Sequence, residues 1–531
     1  MQDENIRETD QAGTETSRYP SRVVLTMGAL YLSVFSYAMG LTITAAAIRT
    51  ITSDFHTIND IGWYASTFML STCACQMLFS RMYASLSTKW TYLGAVATFH
   101  TGSIICAIAP SSAIFIIGRA IAGGGGAGLM TGSIIITAQA VPLRHRAIPM
   151  GAFGVLYSFG GIAAPLLGGA LTSECWTLIY PGDGCFYISP PIGAVVIFLT
   201  ILLVPSSPTP AREKKSSWIS LIKQFDPVGT TIFAGTWASL LLAIQWGGDR
   251  YAWDDPREIA LFTLSAVLLV VWVISQWLME ENASLPLCIL RQRTVACTTV
   301  YVFATMPAFH LMVYYLPIWF QAIKGDSAIE SGIHNLPVIL SDGLFSIITG
   351  VGISTLGYYT PFMIGGAMLM AIGAGLFLTF HVNTTLPFWI GYQIIYGAGV
   401  GMALEQPFTA VQTVLPEEDT VAGTLLIVFC RSLASAIMVP VGQKLLNNHL
   451  IAGLANSQSE LDPETILRAG AMGLQSTILQ AAPGRQDIVD LVLQVYNEAV
   501  LKVFVVALAV ACIGVIASFG IEWRSVKKEK E

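Results

Sequence analysis

The sequence predicts an all-α integral membrane protein that crosses the bilayer about fourteen times, and three observations carry that reading. The 531 residues are 54% hydrophobic and only 11% charged, against about 25% charged in soluble domains. With a mean hydropathy of +0.64, a water-soluble globule would have no polar surface to present. Apolar runs of roughly 20 residues, the length that spans a hydrocarbon core, follow one another from end to end. The basic residues then fall mostly on one side of that thread. With the N-terminus in the cytoplasm, the inner loops and both tails hold 17 of the 27 Lys and Arg residues, as the positive-inside rule requires.

Taken in order, a polar tail (1–21) precedes six spans within 22–205, near 23–47, 61–81, 91–110, 113–141, 147–171 and 186–205. A linker (206–226) follows, with Trp218, Leu221, Ile222 and Phe225 spaced as the apolar stripe of a surface helix. Asp226-Pro227 reads as a helix cap with Pro at the first helical position. Segment 227–290 holds a pair of spans near 228–247 and 259–279. Segment 291–521 holds six more, near 297–322, 332–355, 360–380, 386–412, 419–445 and 501–521. An outer loop (446–500) with helical pieces interrupts this second group, and a basic tail (522–531) ends the chain in the cytoplasm.

A short internal repeat relates the two groups of six. Arg119 is followed by Gly123 and Gly125, and Gln393 by Gly397 and Gly399, with the same offsets. Span five, Gly151 to Leu171, carries two small-residue rows at i, i+4, i+8: Gly160, Ala164, Gly168 and Gly161, Pro165, Gly169. Both rows lie on one helix face, where a neighbour can approach almost to backbone contact.

Composition and motifs exclude other classes. A net charge of −6 marks no nucleic-acid surface. The run Gly123 to Gly128 satisfies GxGxxG, yet no strand precedes it and it lies inside a membrane span. No GxxxxGK[ST] motif, paired His ligands or nucleophile–base constellation is present, so neither an enzyme nor a cofactor or metal site is expected. Most of the nine cysteines lie scattered in apolar runs.

The span-five stretch resembles the Gly-rich, Pro-centred fifth-helix motif of the fourteen-span drug:proton antiporters of the major facilitator superfamily, with Ala164 in place of a usual Gly. Gly118-Arg119 through Gly123 resembles that family's fourth-helix motif, and Arg81 with Lys89 its inner loop between spans two and three. Gln245-Trp246, Tyr314-Tyr315 with Phe320, and Gln406-Pro407 with Gln412 resemble fungal members. The resemblance implies a major facilitator fold of two six-helix bundles plus an inserted helix pair, working by alternating access. It implies a proton-transfer role for Arg119 and a substrate cavity lined by Gln245, Trp246, Tyr314, Tyr315, Phe320, Gln393 and Gln412.

Two departures bear on mechanism. Where span one of the family has an Asp followed by a Pro, this chain has Gly40 and Arg49. Asp342 and Glu405 are intramembrane acids that could replace the lost one, and Arg431 could neutralise either: a carboxylate beside Arg431 stays ionised, whereas one alone could carry a proton. Cys175 and Cys185 bracket an outer loop that a disulfide could close, and Asn383-Thr384-Thr385 is an outer glycosylation sequon. The expected function is proton-driven export of small lipophilic organic compounds by a monomer, with substrate, protons and the lipid bilayer as its partners. The cell membrane is its expected place, with a vacuolar or vesicle membrane next. An uncoupled facilitator or uptake carrier on the same fold, and a non-transporting membrane sensor, are the alternatives.

Overall fold

The computed structural model describes residues 21–55, 61–173, 184–205, 226–247, 251–279, 287–456, 463–481 and 485–527. The linker 206–225 and Cys175 lie outside these, so the surface helix and the disulfide are not addressed by the structure. The first bundle comprises α1 (Ser21–Phe55), α2 (Ile61–Ser85), α3 (Thr88–Ala107), α4 (Ser112–Ala140), α5 (Ala147–Ser173) and α6 (Ser189–Leu203). The inserted pair is α7 (Pro227–Trp246) and α8 (Pro256–Met279). The second bundle comprises α9 (Arg293–Trp319), a short α10 (Ala328–His334), α11 (Leu336–Leu356), α12 (Thr360–Phe377), α13 (Leu386–Ala403) and α14 (Gln406–Val414). It is completed by α15 (Glu417–Asn456), α16 (Pro463–Ala481) and α17 (Gln486–Phe519). An all-helical chain is what hydrocarbon demands, because each helix satisfies its own backbone polar groups. Among the described residues, ten helices are long and apolar enough to cross a membrane.

The internal repeat is written in the packing. In the first bundle α3 packs on α4, α2 on α4, α1 on α5 and on α6, and α3 on α6. Let α9, α11, α12, the broken α13–α14, α15 and α17 be positions one to six of the second bundle. The same five pairings recur there: α12 on α13, α11 on α13, α9 on α15 and on α17, and α12 on α17. The paired glycines explain why. A Cβ at Gly123 would collide with the Phe68 carbonyl of α2, and one at Gly397 with the Val338 carbonyl of α11. Two residues on, a Cβ at Gly125 would strike the Phe99 amide of α3, and one at Gly399 the Met370 amide of α12. In each bundle, therefore, helix four is pressed against helices two and three by the absence of a side chain at +4 and +6.

The halves meet along two seams, α5 on α11 and α2 on α15. Each joins position five of one bundle to position two of the other, as an exchange of equivalent halves requires. At the α5–α11 seam, a Cβ at Gly151 would lie 2.6 Å from the Ser346 carbonyl, and one at Gly350 2.8 Å from the Ala147 carbonyl. The inserted α7 packs on α8, α2 and α15, so the pair covers the other seam. Asp226 secures it: Oδ1 accepts from the Gly229 amide at 2.8 Å, and Oδ2 from Gln276 of α8 at 3.1 Å. This is the cap anticipated at Asp226-Pro227. Ile259, Val270, Ile274, Trp277 and Leu278 of α8 are exposed, the outward apolar face expected of a helix against lipid.

The segment expected as an outer loop, 446–500, is mostly helix. α15 continues to Asn456 and α17 already starts at Gln486, with α16 between them. Gln475 of α16 donates to the Ile323 carbonyl at 3.3 Å, beside Gly325, whose φ of +74° suits only glycine without strain. Thus α16 lies against the end of α9.

Candidate functional site

The seam between the halves brings together charged and polar side chains from four helices, α5, α9, α11 and α15, and from the break between α13 and α14. Its scaffold is one face of α5. Gly154, Tyr157 and Ser158 sit at i, i+3 and i+4, so all three point the same way. Ser158 Oγ donates to Asp342 Oδ2 of α11. Tyr157 lies 3.5 Å through its hydroxyl from His310 Nε2 of α9. At Gly154 a Cβ would sit 3.3 Å from Cγ of Glu405. A helix of the first bundle thus reads three titratable groups of the second.

Glu405 occupies the two-residue break that separates α13 from α14, with Pro407 in the first turn of α14. Proline supplies no amide there, and the break places a carboxylate at the positive end of a helix inside the protein. Arg431 Nη1 of α15 lies 2.9 Å from Glu405 Oε1, with the two side chains only 10% and 4% exposed. The guanidinium also lies over the rings of Tyr157 and Phe408, 5.9 Å from each centroid. His310 Nδ1 is 3.1 Å from the Met306 carbonyl and 3.1 Å from Ser435 Oγ. A carbonyl only accepts, so Nδ1 carries hydrogen and Nε2 is left to accept from Tyr157. Hydrogen bonds thus run from Tyr157 through His310 to Ser435, which in turn donates to the Arg431 backbone carbonyl at 2.8 Å, while the Arg431–Glu405 pair lies beside Tyr157 and Asp342 is alongside on Ser158.

A cavity opens beside this network, between α1, α2, α4 and α5 on one side and α9, α14 and α15 on the other. Tyr37, Tyr157, His310, Phe408, Arg431 and Ser435 line it, together with apolar residues such as Met69 and Met306. It has about 50 Å³ of room for water, enough for a few molecules but not for an organic cargo. The end at which α1 begins and α17 finishes is closed: Arg146 Nη1 donates to Gln412 Oε1 at 3.2 Å, and His145 Nδ1 pairs with Ser354 Oγ at 3.1 Å.

Arg119 lies elsewhere, inside the first bundle and 1% exposed. Its Nε donates to the Tyr64 carbonyl at 2.9 Å and Nη1 to the Gly40 carbonyl at 2.7 Å, and the Phe68 ring lies 4.4 Å from Cζ. Where the resemblance leads one to expect an acid, the arginine meets backbone oxygens. Gln393, its counterpart in the second bundle, is fully buried with no hydrogen-bond partner for either side-chain atom.

The other residues singled out in the sequence spread over several places. Trp246 packs against Trp63 and Tyr251, with centroids 6.2 and 5.9 Å apart. Tyr314 is 47% exposed, whereas Tyr315 is buried and donates to the Val439 carbonyl at 2.9 Å. Phe320 is buried between His334 and Trp389, and Gln412 belongs to the closed end. None of these lines the central cavity, and the Gln245 side chain lies outside the described residues. Lys89 Nζ donates to the Ile201 carbonyl at 2.7 Å, and Arg22 Nε to the Leu203 carbonyl at 2.9 Å, so both cap the C-terminus of α6. Arg81 sits in the field of Asp226. Gly160 abuts α1, where a Cβ would be 2.8 Å from Ala38 Cβ, while a Cβ at Gly161 would reach only Thr42 of α1, at 4.0 Å. The helix runs on through Ala164, Pro165, Gly168 and Gly169, whose side chains lie outside the described residues. Asn383 is exposed in the turn before α13. Tyr157, Ser158 and His310 were not anticipated. The available signal was a lone histidine in the middle of a membrane span, which is expensive unless it works.

The Major Facilitator Superfamily profile matches residues 30–439. The chain is 42% identical over 526 residues to "Efflux pump aflT" of Aspergillus parasiticus (strain ATCC 56775 / NRRL 5862 / SRRC 143 / SU-1), covering 98% of this chain and 99% of that protein. It is 39% identical over 525 residues to the "Aspyridones efflux protein" of Neocamarosporium betae, covering 99% and 91%. The fold is that of the proton:xylose symporter XylE bound to 6-bromo-6-deoxy-D-glucose, with a TM-score of 0.58 at 13% identity over 94% of this chain and 95% of that one. With two equivalent bundles, an inserted pair and a polar seam between the halves, the chain belongs to the Major Facilitator Superfamily and is a membrane transporter rather than an enzyme.

Proposed function

We propose that this transporter exports small lipophilic organic compounds across the cell membrane by proton antiport, as a monomer with about fourteen spans and both termini in the cytoplasm. Relatives named as efflux pumps over nearly their whole length support the direction. The observation that carries the coupling is the seam on α5. Glu405 already has a cation in Arg431, whereas Asp342 is held by the neutral hydroxyl of Ser158 from the opposite bundle. Asp342 is therefore the group that takes up a proton: its O–H bond forms when the outer side opens and breaks when the inner side opens. The change in charge alters the one bond it makes across the seam, so protonation and the rocking of the halves are linked. The domain limits expected from the sequence and an outer sugar on Asn383 complete this reading.

Inside-out vesicles containing the protein test it, with the lipophilic dye rhodamine 6G as probe. Acidifying the lumen should drive dye accumulation, and collapsing the gradient with nigericin should release it. Equilibration of the dye at a rate indifferent to the gradient, with no accumulation, would instead identify an uncoupled carrier.

A further inference from the structure

We propose that the small cavity beside Arg119, inside the first bundle, binds one small monovalent anion of chloride size, which supplies a negative charge that none of the described residues places there. A guanidinium has five N–H donors. Two of Arg119's are used, on the carbonyls of Tyr64 and Gly40, and Nη2 has no partner. Two neutral carbonyls and the face of Phe68 orient the group without cancelling its charge. No acidic side chain among the described residues pairs with it. A buried cation left in that state is costly, and proteins resolve the cost by pairing it.

The surroundings fit an anion. Arg119, Gly40, Ser36, Ser103, Ser189 and Phe68 are among the residues that line the cavity, which has about 20 Å³ of room. That admits a single particle about the size of water and no organic molecule. Ser36 and Ser189 lie 3.2 Å apart through their hydroxyls, and Ser189 lies 3.0 Å from His100 Nδ1. With the His100 Nδ1–H donating to Ser189 and Ser189 to Ser36, the Ser36 hydroxyl is left to donate into the cavity, and no carboxylate among the described residues lines it. A water molecule would fill the space but leave the charge. The cavity shares no lining residue with the one at the seam, so the proposal stands apart from proton coupling at Asp342.

Gly40 also supplies the test. A Cβ there would meet the edge of the Phe99 ring at 3.0 Å and little else, so Gly40→Asp needs only a small ring shift to set a carboxylate near Arg119. The unfolding midpoint of the full-length protein in nanodiscs is measured while sodium gluconate is replaced by sodium chloride or bromide at constant ionic strength. A saturable upward shift is expected with both halides, and it should be lost in Arg119→Gln and in Gly40→Asp. If Arg119→Gln does not fold, Gly40→Asp carries the comparison, and equilibrium binding of radiolabelled chloride to the unmodified protein gives a second readout, displaceable by bromide. A midpoint indifferent to halide, an equal shift in the Gly40→Asp protein, or no saturable chloride binding would overturn the proposal.

Discussion

Arg431 and Glu405 illustrate what a buried charge does for a membrane protein. Each is tolerable only because of the other, and removing one strands its partner. Arg431→Gln should destabilise by on the order of 3–5 kcal/mol, read as a lower unfolding midpoint in detergent. The double variant Arg431→Gln/Glu405→Gln should recover most of that loss. Tyr157→Phe removes only a hydroxyl from His310 and should cost about 1 kcal/mol in the same assay, while slowing dye transport more than its small stability cost suggests. At this scale the sequence was partly legible. Asp342, Glu405 and Arg431 stood out because charges in apolar runs are conspicuous, and the Arg431–Glu405 pairing was among the combinations their positions allowed. His310 and Tyr157 were hidden because a His or Tyr in a span looks like core until the opposite bundle supplies its partner. The aromatic and amide residues marked by resemblance were scattered because helix ends, lipid faces and bundle interiors favour the same residue types.

At the scale of the element, α4 and α13 are shaped by what they omit. Gly123 and Gly397 bring a backbone against the carbonyls of α2 and α11, so any side chain there must push two helices apart. Gly397→Ala should destabilise by roughly 1–3 kcal/mol through this overpacking. Gly391→Ala, on the same helix but with nothing within 4 Å of its Cβ, should be neutral or stabilising by up to about 1 kcal/mol, as helix propensity predicts. Thermal melts of the two purified variants give the comparison. The glycine offsets were visible in the sequence as a repeat of three positions. What they did was not, because the partner helices are chosen by the bundle. Helix ends were harder still. α15 and α17 extend well past the apolar runs that announced them, since amphipathic turns outside the bilayer continue a helix without adding hydropathy.

For the whole molecule, the symmetric use of α2 with α15 and α5 with α11 means that the halves meet along two equivalent seams. The end at which α1 begins and α17 finishes is held by Arg146 on Gln412 and His145 on Ser354, backed by Gly151 and Gly350. Joining His145→Cys to Ser354→Cys with a short reversible thiol cross-linker should lock that end, stop dye efflux, and release both on reduction. The same treatment of the parent protein should change nothing. The fold class was read from hydropathy and charge because the bilayer imposes it on composition, whereas the two-bundle plan came from the glycine repeat and the family resemblance. The position of the working groups depends on how the halves dock, which no single span encodes.

The most direct test of the account is proton movement itself. In proteoliposomes with a pH-sensitive dye inside, a rhodamine 6G gradient should drive protons the opposite way in the parent protein. Asp342→Asn should abolish that flux while retaining exchange of dye across the membrane. Unchanged proton flux in the Asp342→Asn protein would contradict the assignment of coupling to the α5–α11 seam.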